Sequence, residues 1–171
     1  MRPKLLLTIV TIGTGQAGAV TGGGYLELTN SQGAVPGDPG SKANFGFTVK
    51  YAKGGTNPQG EVNLVVRSNG RVYHVKSSAI AALAVTPASG TSPGKATLTA
   101  TVTIRDITAP GKPVTVSSTA TAQLAMTDNG EPGANDTLGI TITSAGALWF
   151  SSNGSPTATP QKLGGGNLQV R

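Results

Sequence analysis

Three carboxylates fall within one nine-residue run, Asp128-Asn129-Gly130-Glu131-Pro132-Gly133-Ala134-Asn135-Asp136. With Asn129 and Asn135, Asp128, Glu131 and Asp136 make five oxygen-bearing side chains, the donor type calcium favours. Like-charged carboxylates in one loop repel unless a cation neutralises them. The ligand order of an EF-hand is absent, and Asn-Gly and Pro-Gly are ordinary turn pairs. The run therefore reads either as a weak calcium site or as a solvated hairpin loop. The other chemistry-bearing residues are sparse. His74 is the lone histidine and there is no cysteine, too few nitrogen and sulfur ligands for zinc. No G-x-S-x-G elbow is present. The remaining acids, Glu27, Asp38, Glu61 and Asp106, are far apart in sequence. The expectation is a chain without catalytic activity and with no cofactor other than calcium.

Trp149 is the only tryptophan. In an alternating strand Leu148 and Phe150 share one face and Trp149 takes the other. With Leu148 and Phe150 in the core, Trp149 faces outward, where an aromatic ring can stack on a sugar. The other reading packs Trp149 under a long loop or in the core.

These residues must be positioned by strands. The chain has 171 residues, of which 12% are charged, with 25 Gly and 11 Pro. Charge this low, frequent punctuation and abundant Thr exclude a helical protein and point to an all-β domain. The net charge is +6, but the basic residues are scattered. Only Arg67, Arg71 and Lys76 fall close together, which does not make a nucleic-acid surface. Met1-Arg2-Pro3-Lys4 is basic, Leu5 to Ile12 is largely apolar and Ala17-Gly18-Ala19 is an A-x-A pattern. Residues 1–19 thus read as a secretory signal, or else as a first β-strand. Residues 20–171 form one domain.

Asn69-Gly70 between two alternating runs is the strongest local signal, a type I′ hairpin turn. It sets Val66 opposite Tyr73, Leu64 opposite Val75, and Val65 opposite His74, with His74 on the wetter face. Ala96 to Arg105 alternates apolar residues with a threonine ladder, as a half-buried antiparallel strand does. Further strands are expected at 44–51, 114–126, 137–143, 147–151 and 167–170, and 78–85 is ambiguous between strand and helical turn. Eight to ten short strands in all predict an antiparallel β-sandwich. Its core is expected to hold Phe45, Phe47, Val49, Leu64, Val66, Tyr73, Val75, Leu98, Val102, Ile104, Leu148 and Phe150. Gly22-Gly23-Gly24 and Gly164-Gly165-Gly166 open the first and last strands and would let their backbones approach closely.

Several stretches together carry a resemblance. They are Val20-Thr21-Gly22-Gly23-Gly24-Tyr25, Ala43 to Tyr51 followed by Lys53-Gly54, Leu64 to Ser77, the acidic run to Leu138, Leu148-Trp149-Phe150-Ser151-Ser152, and Gly164 to Val170. Over residues 20–171 the chain resembles the post-COAP type of small β domain from bacterial secreted and cell-surface proteins. The resemblance implies a β fold and export, and no activity. The expected role is a non-catalytic structural or binding module, secreted or on the cell surface. Two alternatives stand beside it: a carbohydrate-binding domain using Trp149, and a self-assembling extracellular subunit whose uncharged strand edges invite strand addition. Expected partners are polysaccharide, other surface proteins or further copies of the chain, and not nucleic acid.

Overall fold

The computed structural model describes residues 17–171. The expected leader falls outside the described residues except for its last positions, and the alternative strand over Leu5–Ile12 falls wholly outside them. Ten strands follow in order: β1 (Ala19–Glu27), β2 (Lys42–Tyr51), β3 (Pro58–Ser68), β4 (Arg71–Thr86), β5 (Gly94–Asp106), β6 (Val114–Asp128), β7 (Thr137–Ser144), β8 (Ala147–Ser151), β9 (Gln161–Lys162) and β10 (Gly165–Val170). A single 3-10 turn, Gly133–Asn135, is the only helical element among the described residues.

The strands are antiparallel and belong to one hydrogen-bonded sheet, ordered β10-β1-β2-β3-β4-β5-β6-β7-β8, with β9 beside β7. The expected all-β antiparallel class is present, and its layering is a single curled sheet, a half-barrel. Curling follows from how much one face must hide. Alternate residues of β2, β3, β5 and β6 are buried, among them Phe45, Phe47, Leu64, Val66, Leu98, Val102 and Leu124, and a flat sheet would leave that face in water. Tyr73 on β4 meets Trp149 on β8 edge to face, with centroids 5.3 Å apart. These strands are four places apart in the sheet, so the contact crosses the interior.

Two long strands make the curl possible. The β4–β5 ladder slips between Ser77 and Ala79 and again between Ile80 and Ala82. Such bulges add local twist and bend a strand. The second half of β4 thereby turns toward the end of β2, where the Tyr51 hydroxyl donates to the Leu83 carbonyl oxygen. The segment left ambiguous by its alanines is part of this bent strand.

The hairpin has the expected register. Val66 pairs Tyr73, Leu64 pairs Val75 and Val65 pairs His74, and Asn69 and Gly70 have φ of 50° and 75°. The glycine runs act where expected. β1 and β10 pair with Gly24 opposite Gly166, and a Cβ on Gly24 would lie 2.1 Å from the Gly165 carbonyl oxygen. Of the expected core, Tyr73 is half-buried and Leu148 partly exposed. The rest is buried. Gly70→Val forces a β-branched residue to positive φ and is expected to cost about 1 kcal/mol or more. Urea denaturation of the variant against the native chain measures it.

Candidate functional site

The acidic run links the end of β6 to the start of β7, and the structure brings all three of its carboxylates against one strand, β10. β10 pairs with β1 along one edge only. Its opposite edge presents backbone N–H groups that lack a neighbouring strand. Leu168 N donates to Asp136 Oδ2 and Val170 N to Asp128 Oδ2, each at 2.9 Å. Between them, the Asn167 and Gln169 side-chain amides both donate to Glu131 Oε1 at 3.0 Å. Asp136 is fully buried. Its second oxygen accepts from Asn129 N, and its own carbonyl oxygen accepts from Leu163 N. Those bonds from Asn167 and Gln169, with the positive Arg171 nearby, hold the Glu131 carboxyl below its usual range.

Residues expected to gather around a cation thus take up the function of a missing strand. The five-oxygen set does not converge: Asn135 accepts from Lys162, and the Asn129 side chain donates to the Asn135 carbonyl. Among the described residues no three His, Cys, Asp or Glu side chains form a group able to hold a metal ion. The sequence signal was present, since three carboxylates need neutralising. Beside local donors, the carboxylates are solvated by amides of β10 more than thirty residues away, which spacing along the chain cannot reveal.

Trp149 corrects an expectation. It is 6% exposed, so it presents no ring to solvent and no platform for a sugar. The β7–β8 ladder pairs Ile142 with Phe150 but Thr143 with Leu148. Trp149 is the extra residue, and the bulge breaks the alternation that would have turned it outward. The segment after β1 then covers the strand: Ala34 N and Val35 N donate to the carbonyls of Leu148 and Trp149, and Gln32 pairs with Ser151. The unbroken apolar run Leu148-Trp149-Phe150 is the one sequence signal for burial on both faces.

With the acids and the tryptophan placed, the outer face of β4–β7 includes a broad surface without charge. The registers align three rows across it: Ala84, Thr97, Ala125, Gly139; then Ala82, Thr99, Gln123, Thr141; then Ala79, Thr101, Thr121, Thr143. None of these side chains is charged. The segment 157–160 crosses above Gly139 and Thr141, with Ala158 N donating to Thr141 Oγ1. It leaves a groove of about 290 Å³ walled by Thr97, Thr99, Gln123 and Thr157. Sequence reasoning found the β5 threonines but not the rows, because the bulges set which residues lie abreast.

Comparison with protein-family models, with curated proteins and with solved structures finds no match.

Removing the Asp136 carboxylate leaves the buried Leu168 N–H and the part-buried Asn129 N–H without their acceptor. Asp136→Ala is expected to destabilise the chain by about 2–5 kcal/mol, measured by urea denaturation. The native chain is expected to melt at the same temperature in millimolar calcium and in chelator. A calcium-dependent rise in the midpoint would instead assign these carboxylates to a cation.

Proposed function

We propose that the chain is a non-catalytic structural or binding module, exported to the surface or secretome of a bacterium. In this reading it meets a polysaccharide on the outer face of β4–β7. The observation that carries the proposal is the three-row face with its groove. Thr hydroxyls each donate and accept, which suits a polymer of sugar hydroxyls. Short side chains fixed on strands lose little rotamer freedom on binding, and a face without charge has no ion to desolvate. The resemblance of residues 20–171 to post-COAP-type domains supports the exported setting and is part of this proposal. The ligand is read at the threonine groove because Trp149 is covered.

The test is retention of the domain on a panel of insoluble polysaccharides, with Thr99→Val/Gln123→Leu as the control. Loss of two hydrogen-bonding groups should weaken binding about tenfold at unchanged melting temperature. No retention on any glycan, or equal retention of the variant, would overturn the polysaccharide reading.

A second reading, self-assembly, is favoured by the first half of β6. There β6 pairs with β5 alone, since β7 joins only from Thr121 onward. Val114 and Val116 are 63% and 47% exposed, and no charge lies between Val114 and Ala120. Charge is a usual guard on a free strand edge. Light scattering should then show a concentration-dependent dimer that Val116→Lys abolishes. A monomer at millimolar concentration removes this reading.

A further inference from the structure

One outer-face groove gathers positive charge with only one loosely held carboxylate beside it. It is lined by His74, Lys76 and Ser77 of β4 and by Thr103 and Arg105 of β5, and encloses about 310 Å³. The register sets His74 directly opposite Arg105 and Lys76 opposite Thr103. Two cationic side chains, Lys76 and Arg105, thus flank the imidazole on one face, in a chain of which only 12% of residues are charged. The available acids are engaged elsewhere or far from the groove's centre. Asp106 is paired with Arg71. Glu61 on β3 reaches only Lys76, at 3.8 Å, with both side chains largely in solvent, so this pair neutralises little. Among the described residues Arg105 has no carboxylate partner.

We propose that this groove is an oxyanion-binding site, taking a single carboxylate, sulfate or phosphate group between His74, Lys76 and Arg105. Arg105 offers a planar fork of donors for two oxygens of such a group, and Lys76 a point charge. Thr103 adds a hydroxyl that can donate. Asn63 on β3 fixes the imidazole: its Oδ1 lies 3.1 Å from His74 Nε2. An amide oxygen only accepts, so this contact favours the tautomer with its proton on Nε2. The charged groups facing His74 are Lys76 on its own strand and Arg105 on β5. Partial burial, then Lys76, then Arg105, hold the imidazole below its ordinary range. An anion seated among the three reverses the last two effects, so binding raises the His74 pKa and strengthens as pH falls. The oxyanion can be a free ion or a group carried on an acidic glycan. The site does not depend on the polysaccharide reading, although Thr101 and Thr103 continue the same row of β5 threonines into it.

His74 is the only histidine, so its ring protons give one unambiguous NMR titration. The titration is run in sodium sulfate, in sodium chloride of equal ionic strength, and with polygalacturonate. An upward, saturable shift in sulfate assigns a free-ion site, and a shift with polygalacturonate alone assigns a polymer-borne carboxylate. The same pKa in all three solutions overturns the proposal. Arg105→Gln and Lys76→Gln keep the reporter, and their side chains are exposed, so folding should survive. Each should weaken the saturable shift about tenfold in anion concentration. An unaltered shift in both variants would also overturn the site.

Discussion

The last strand of the sheet is held on its open side by carboxylates, and the closure of the whole fold depends on them. A β-strand at the end of a sheet presents unpaired N–H groups at every second residue. In β10 those are Leu168 and Val170, and they donate to Asp136 and Asp128. A carboxylate accepting backbone N–H groups makes a charge-assisted bond, stronger than the amide–carbonyl bond of an ordinary ladder. It also avoids what an added strand would require, namely another stretch of ordered chain. Asp136 is buried, where an unmatched charge would be costly. The arrangement therefore holds only while β10 is docked and fails as a unit when it is not. Since the acids sit between β6 and β7, they bring the last strand back against the middle of the sheet and enclose the core.

The opposite end of the sheet is closed by different chemistry. β8 is covered by backbone bonds from residues 32–35, and the bulge at Trp149 lets two successive aromatic side chains enter the core. With both ends occupied and the inner face filled, the outer face is the one left to solvent. It includes an uncharged threonine and alanine region across β4–β7 and a cationic groove where β4 and β5 continue past it. The unguarded half of β6 is the exception to the edge protection seen elsewhere.

Local rules carried far in this sequence. Asn69-Gly70 fixed a hairpin because the turn geometry needs two positive φ values, and the register then followed by counting. The threonine alternation of β5 gave its buried face for the same reason. The class of fold was legible from composition, whereas its layering was not. Whether one sheet curls or two sheets stack depends on bulges such as those in β4, which leave no mark in a period-two pattern. Trp149 was misplaced by one such bulge. The acidic run was legible as a charge problem but not in its solution, because the donors come from the far end of the chain. The cationic groove escaped notice for a related reason: Arg105 is remote from His74 in sequence and becomes its neighbour only through strand pairing.

Hydrogen exchange at the Leu168 and Val170 amides tests the closure most directly. If the carboxylates stand in for a strand, both amides exchange as slowly as the paired interior amides of the β2–β3 ladder, and the Leu168 amide quickens in Asp136→Ala. Exchange at the rate of the exposed first half of β6, at any pH, would show that β10 has an open edge and that the acidic run does not hold it.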